Sequence, residues 1–277
     1  MVDLSCLPHL TTDMETAGKR IGISLSGGGA RGIAHIGVLK ALEEKGIRPE
    51  AIVGCSAGSI VGSLYAAGLS TDDLLHFVKD SNLWKLLSLR LPSGGFSKLD
   101  YLNSRLGECI AEDSFESLLK KLHIAIANLN TGKLEVRNAG MLFSIVQASC
   151  SIPLVFEPIE IDGDLFVDGG TLCNMPVTPL EDQADIIIGV NVMPRIQATK
   201  SSVNTMRGVA MRCFEMAIWS NTQAEAEKCD FLIEPKLVNK YHIFQFNKYQ
   251  ELFEIGYEAA TKFLEEQQID MVGSRQS

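Results

Sequence analysis

Residues Ile21 to Gly68 read IGISLSGGGARGIAHIGVLKALEEKGIRPEAIVGCSAGSIVGSLYAAG, and this stretch decides the fold. An apolar run, Ile21–Ser26, meets a glycine loop. An amphipathic helical pattern over Ile33–Lys45 then stops at Gly46, a residue suited to the left-handed turn that ends a helix. Ala51–Cys55 is a nearly continuous apolar run, of the kind buried on both faces of a parallel sheet. Beyond Ser56 the chain is rich in small side chains (Ala57, Gly58, Ser59, Gly62, Ser63, Ala66, Ala67), which let a helix lie close against that sheet. Two strand-helix units in succession predict an α/β domain with a mostly parallel sheet.

Two chemical devices sit at the two strand ends. In Gly27-Gly28-Gly29-Ala30-Arg31-Gly32 the missing side chains let successive N–H groups point into one concavity, suited to an anion or a developing negative charge. Gly54-Cys55-Ser56-Ala57-Gly58 is a G-x-S-x-G turn that lifts Ser56 onto a strand-to-helix elbow, with small flanking residues because the backbone there is strained. Each device has a plainer reading. Gly27, Gly29 and Gly32 also satisfy the dinucleotide-loop pattern, but that reading requires an acidic residue ending the second strand, where Ser56 stands; Glu50 lies at the strand's beginning. Serine is also a common helix N-cap. The two devices in adjacent units favour the elbow.

The 277 residues are 46% hydrophobic, enough for one large core. A net charge of -9 argues against a nucleic-acid partner and a polybasic membrane anchor, so a lipid substrate would be reached through apolar contact. The opening MVDLSCLPHLTTDMETAGKR lacks the pattern of a secretory leader, and no apolar window is long enough to span a bilayer. Seven cysteines without a C-x-x-C pair read as reduced thiols in a cytoplasmic protein, and the five histidines lack ligand spacing, so neither metal nor cofactor is expected. The expected organisation is a poorly ordered extension over 1–18, a single domain over 19–270 and a frayed end over 271–277.

Further on, Ser70-Thr71-Asp72-Asp73 caps a helix towards Lys79. The leucine-dense run Leu83–Leu91 reads either as a lid or acyl-pocket wall, or as an ordinary core segment. Leu99–Ile110 and Phe115–Leu119 look helical. His123–Leu129 is a strand paired with Lys133–Asn138 across Asn130-Thr131-Gly132, with His123 expected at the surface. Leu165–Gly170 delivers Asp168 at a strand tip, Asp185–Val192 and Asp230–Pro235 are further strands, and helices cover about 204–227 and 246–266.

A serine hydroxyl is a weak nucleophile until a base takes its proton. Asp168 is the candidate, because it too ends a strand beside a turn, Gly169-Gly170, and burial near Phe166 and Val167 would raise its pKa. The plainer reading of Asp168 is an Asx turn. A triad of Ser56, Asp168 and His242 has the chain order of α/β-hydrolases, but those enzymes place several strands before the nucleophile strand, and only one stands here. The dyad is preferred.

Together these motifs resemble the patatin-like phospholipase family. The glycine loop is similar to its oxyanion loop, Gly54–Gly58 to its nucleophile elbow, Ala148–Pro153 to its A-S-x-S-x-P segment, and Asp168-Gly169-Gly170 with Asn174-Met175-Pro176-Val177 to its D-G-G and N-x-P-V stretches. The resemblance implies a three-layer α/β/α sandwich and a Ser-Asp lipid acyl hydrolase working through an acyl-enzyme. It implies catalytic Ser56 and Asp168, an oxyanion hole of Gly27, Gly28, Gly29 and Ala57, and supporting roles for Arg31, Gly32, Gly54, Gly58, Gly169 and Gly170. Arg31 either orients the loop, meets a phosphate, or forms a structural ion pair. The implied partner is a lipid or acyl ester, with transient contact to a membrane surface. The alternative is a lipid-binding or regulatory adaptor on the same fold with little turnover.

Overall fold

The computed structural model describes residues 18–80 and 99–267. The eight strands are β1 (Ile21–Leu25), β2 (Ala51–Cys55), β3 (Lys121–Asn128), β4 (Leu134–Arg137), β5 (Ile159–Ile161), β6 (Asp164–Asp168), β7 (Ile186–Val190) and β8 (Phe231–Ile233). They form one sheet in the order β5-β6-β3-β2-β1-β7-β8, with β4 paired to β3. From β3 to β8 the neighbours run parallel, whereas β4 and β6 run antiparallel to β3, and β5 to β6. Every residue of β1, β2 and β7 is buried, which is why these strands show apolar runs rather than alternation.

The helices are α1 (Ala34–Glu44), α2 (Ala57–Ala66), α3 (Thr71–Asp80), α4 (Asp100–Gly107), α5 (Leu142–Ser149), α6 (Met206–Ala226) and α7 (Tyr249–Glu266). The layers on the two faces are unequal. Ile21, Ile23, Leu25, Ile52, Ile124 and Ile188 face a large core shared with α1 to α5 and α7. Ala51, Val53 and Ile187 face a thin one closed by Met175, Val177 and Leu180 and the end of α6. Helix α7 buries the stripe Leu252, Gly256, Ala260, Leu264, at the spacing that puts one face of a helix against a neighbour.

Most expected elements stand within a few residues of their predicted ends, and Gly46 takes the left-handed conformation, φ 76°, that ends α1. Two expectations are corrected, and one element was missed. Phe115–Leu119 is not a helix but a single 3-10 turn, Phe115–Ser117; the chain straightens at Leu118, and the amides of Leu119 and Lys120 donate to Ala66 O. His123 is buried on β3, with Nε2 2.7 Å from Gln183 Nε2, rather than at the surface. Strand β5 was not anticipated, being three residues long. The leucine run Leu83–Leu91, residues 1–17 of the expected extension and the end 271–277 lie outside the described residues.

Candidate active site

The sheet brings two strand tips together. Strand β2 runs parallel to β3 and ends with Cys55 opposite Ala125; β6 runs the other way and ends with Asp168 opposite Ile126. The tips thus converge on consecutive residues of β3. Ser56, next after β2, is at φ 51°, ψ -123°, a conformation that non-glycine residues rarely adopt, and α2 begins at the following residue. So sharp a turn needs close backbone approach: a methyl group on Gly58 would lie 2.1 Å from Leu25 O, and one on Gly54 2.5 Å from Gly58 O.

The last residue of α5 and the segment after it pin both tips. Ser149 Oγ accepts from Ser56 N (2.8 Å) and donates to Ala125 O (2.8 Å), while Ser151 O accepts from Asp168 N (3.0 Å). Ser59 Oγ donates to Ser56 O at 2.6 Å. The A-S-x-S-x-P pattern had flagged this segment, but its two anchoring contacts become visible only in the fold.

Asp168 is buried and accepts from Gly170 N (2.8 Å) and Cys55 Sγ (3.6 Å). The Ser56 hydroxyl faces the same carboxylate closely enough to favour its ionised form. Burial raises the Asp168 pKa from 3.8 to about 6, against the opposing pull of Ser56, Gly170 and Cys55. A methyl group on Gly169 would lie 2.4 Å from Ala125 O, so the turn after Asp168 also rests on β3.

The glycine loop lies over Ser56. Gly27 N donates to Asn174 O (3.0 Å), and a methyl group on Gly27 would lie 3.0 Å from Ser56 Cβ. The Gly27 amide is therefore engaged, and its missing side chain is what allows the close approach to Ser56. The amides of Gly28, Gly29 and Ala57 have no acceptor among the described residues. Gly29 is at φ 56° against Ile243 O, and Gly32 nests against Ala57. Asn174 is held in turn by Asn221 of α6, whose Oδ1 accepts from Asn174 N (3.0 Å) and whose Nδ2 donates to Gly170 O (3.0 Å). Nothing in the sequence singled out Asn221.

Arg31 is buried; its Nε donates to Tyr241 O (2.8 Å) and its Nη1 meets Met193 Sδ (3.5 Å). Of the three roles expected for Arg31, these contacts match orientation of the loop. Burial lowers its pKa, with Glu215 opposing. His35 is fully buried behind the loop with Nε2 2.8 Å from Ser26 O, and desolvation lowers its pKa to about 4, so it is neutral. His242 is exposed, its Nδ1 accepting from Phe244 N at 3.4 Å, and it is not brought to Ser56.

Two cavities flank Ser56. One is lined almost wholly by apolar side chains, among them Ile60, Val61, Phe77, Leu102, Phe156 and Phe244. The other lies between Gly28, Ser56 and Asp168 on one side and Met211, Phe214 and Glu215 of α6 on the other. No helix among the described residues is long and apolar enough to cross a membrane.

Comparison with known proteins bears on the same region. Lysophospholipase NTE1 of Kluyveromyces lactis is 26% identical over 280 residues, covering 90% of this chain and 19% of its own length. Lysophospholipase NTE1 of Cryptococcus neoformans var. neoformans serotype D is 34% identical over 193 residues, covering 65% of this chain and 12% of its own length. The chain thus spans about a fifth or less of the length of these curated relatives. The crystal structure of VipD from Legionella pneumophila shares the fold, with a TM-score of 0.60 at 16% identity, covering 92% of this chain and 70% of that one. The family model described as patatin-like phospholipase matches residues 23–181, more than half the chain, from within β1 to just past the D-G-G and N-x-P-V stretches. On that match, the chain belongs to the patatin-like phospholipase family.

Proposed function

We propose that this chain is a lipid acyl hydrolase that cleaves a carboxylic ester through a Ser56-Asp168 dyad and an acyl-enzyme. One observation carries the reading. Ser56 is held in a strained turn facing a buried carboxylate of raised pKa and lines an apolar cavity. An adaptor that only binds lipid gains nothing from that strain.

In the proposed reaction Ser56 Oγ attacks the ester carbonyl carbon as Asp168 takes its proton. The carbonyl oxygen becomes an oxyanion met by the N–H groups of Gly28, Gly29 and Ala57, which are free to donate. Ala57 also opens α2, whose N-terminus adds positive partial charge. Asp168 then gives the proton to the departing alkoxide, leaving Ser56 acylated. Water, losing a proton to Asp168, attacks the acyl-enzyme; the proton returns to Ser56 as the fatty acid leaves.

The apolar cavity that Ser56 lines suits an acyl chain, and the relatives are named lysophospholipases, so the proposed substrate class is a mono-acyl phospholipid. Such a substrate is met at a membrane surface by transient apolar contact. Exposed Leu154 and Leu172, two residues along the chain from Ile152 and Gly170, fit that contact. The six described cysteines are free thiols, in keeping with a cytoplasmic location. One sheet running from β1 to β8 supports a single domain over 19–270.

The test is covalent labelling with a fluorophosphonate probe together with turnover of p-nitrophenyl butyrate. Wild-type protein is expected to label at Ser56 and to turn over, and Ser56→Ala to do neither. Folded wild-type protein that takes no label would return the adaptor reading.

A further inference from the structure

The segment Tyr241–Phe246, a strap between the 3-10 turn Lys236–Lys240 and α7, lies beyond the residues matched by the family model, yet it touches both halves of the site. Its main chain grips the glycine loop: Ile243 O accepts from Ala30 N at 2.7 Å, and Tyr241 O from Arg31 Nε at 2.8 Å. Ile243 O also occupies the space a side chain on Gly29 would need, lying 2.3 Å from where that methyl would be. Its side chains divide between the two cavities. Phe244 and Phe246 line the apolar one; Ile243 lines the other with Gly28, Ser56 and Asp168. Tyr241, Phe244 and Phe246 pack against the main core, which fixes the wall they form.

We infer that the strap Tyr241–Phe246 is the specificity-determining wall of the site, with Phe244 and Phe246 limiting the length of acyl chain that fits beside Ser56. The inference rests on the hydrolase reading for which end of the substrate enters the apolar cavity. A wall of packed aromatic rings has little room to yield, so a chain too long for the cavity must displace a ring or leave methylenes in water. Discrimination of about tenfold or more for a single methylene is within the ordinary reach of an apolar pocket. The same strap fixes the loop that carries Gly28 and Gly29, so chain fit and oxyanion geometry are set by one short segment.

The experiment compares wild type with Phe244→Ala, Phe246→Ala and the milder Phe244→Leu, each checked for folding by near-ultraviolet circular dichroism. Specificity constants are measured for the p-nitrophenyl esters of butyrate, octanoate, laurate and palmitate. In parallel, calorimetry measures laurate and palmitate binding to Ser56→Ala with and without the strap substitutions. The palmitate-to-butyrate ratio of kcat/KM is expected to rise about tenfold or more in the alanine variants and less in Phe244→Leu, with palmitate binding strengthened relative to laurate. Unchanged ratios and unchanged binding preference in folded variants would overturn the strap's role while leaving the hydrolase standing. A shifted binding preference in a protein with no turnover would uphold the strap and sink the hydrolase.

Discussion

The two strand tips that meet on β3 are primed in different ways. Strand β2 ends in Ser56 at φ 51°, ψ -123°, whereas β6 ends in Asp168 at φ -48°, ψ 124°, an ordinary backbone. At Ser56 the unfavourable term is conformational, roughly 1–3 kcal/mol for a non-glycine residue in such a region. At Asp168 it is electrostatic: burial lifts the pKa from 3.8 to about 6, which corresponds to on the order of 3 kcal/mol between folded and unfolded states. Strain in a dihedral angle is indifferent to pH; a buried carboxylate is not. The site therefore holds two reserves that can be released separately.

The largest effect expected on breaking either tip is on turnover. Ser56→Ala and Asp168→Asn should each lower kcat for p-nitrophenyl butyrate by at least about a thousandfold, and the double variant should be hardly worse than either, because residues acting as one unit are not additive. His242→Ala should change kcat less than about twofold, since His242 is exposed and its Nδ1 accepts from Phe244 N. A collapse in folded His242→Ala protein, with Asp168→Asn still active, would move the base from β6 to the strap.

The next effect separates the tips by pH. Asp168 must be ionised to take the Ser56 proton, so kcat/KM should rise with pH up to about 6 and then level, falling about tenfold per unit below that value. Stability should move oppositely. The folded state holds the Asp168 proton more tightly than the unfolded chain, so below 3.8 both are protonated and no penalty exists. As pH rises towards about 6 the penalty grows, and above it the penalty is full. Chemical denaturation should then find Asp168→Asn more stable than wild type by on the order of 3 kcal/mol at about pH 8 and nearly equal at about pH 4. His35 works in the reverse direction. Its folded pKa is lowered to about 4 from 6.5, so its contribution to stability is present above 6.5 and lost as pH falls towards 4. The difference between wild type and Asp168→Asn cancels the His35 contribution, and equal stability at both pH values would show that burial of Asp168 carries no such penalty.

Which of these parts the chain declares in advance follows from how each part acts. The elbow and the glycine loop act through the absence of side chains, and absence is written in sequence: Gly27, Gly29, Gly54 and Gly58 each stand where a methyl group would lie 3.0 Å or less from a neighbour. The strap acts through the carbonyls of Tyr241 and Ile243, which every residue possesses, so no residue type marks it. Gly27 stood out in the sequence, but its engaged amide was not legible there, because Asn174 O reaches it from 147 positions away. His123 looked like a surface residue because it stood at the start of its expected strand; the strand begins at Lys121 instead, and the fold brings Gln183 against His123. The antiparallel course of β6 was equally hidden, although it is what turns the tip of Asp168 towards that of Ser56.

The smallest predicted effect isolates the reserve held at Ser56. Ser56→Ala and Ser56→Gly both remove the hydroxyl that faces Asp168, so both lose that contact equally. Alanine keeps a Cβ in the left-handed turn at φ 51°; glycine does not. Glycine also loses more conformational freedom on folding, by roughly 0.5–1 kcal/mol relative to alanine, which offsets part of the relief. Against roughly 1–3 kcal/mol of strain, the glycine variant should therefore be the more stable of the two by about 1 kcal/mol. Because no titrating group differs between the two variants, the gap should be the same at about pH 4 and about pH 8. An alanine variant as stable as the glycine one would mean that the β2 tip stores nothing, leaving the buried carboxylate as the site's one energetic reserve.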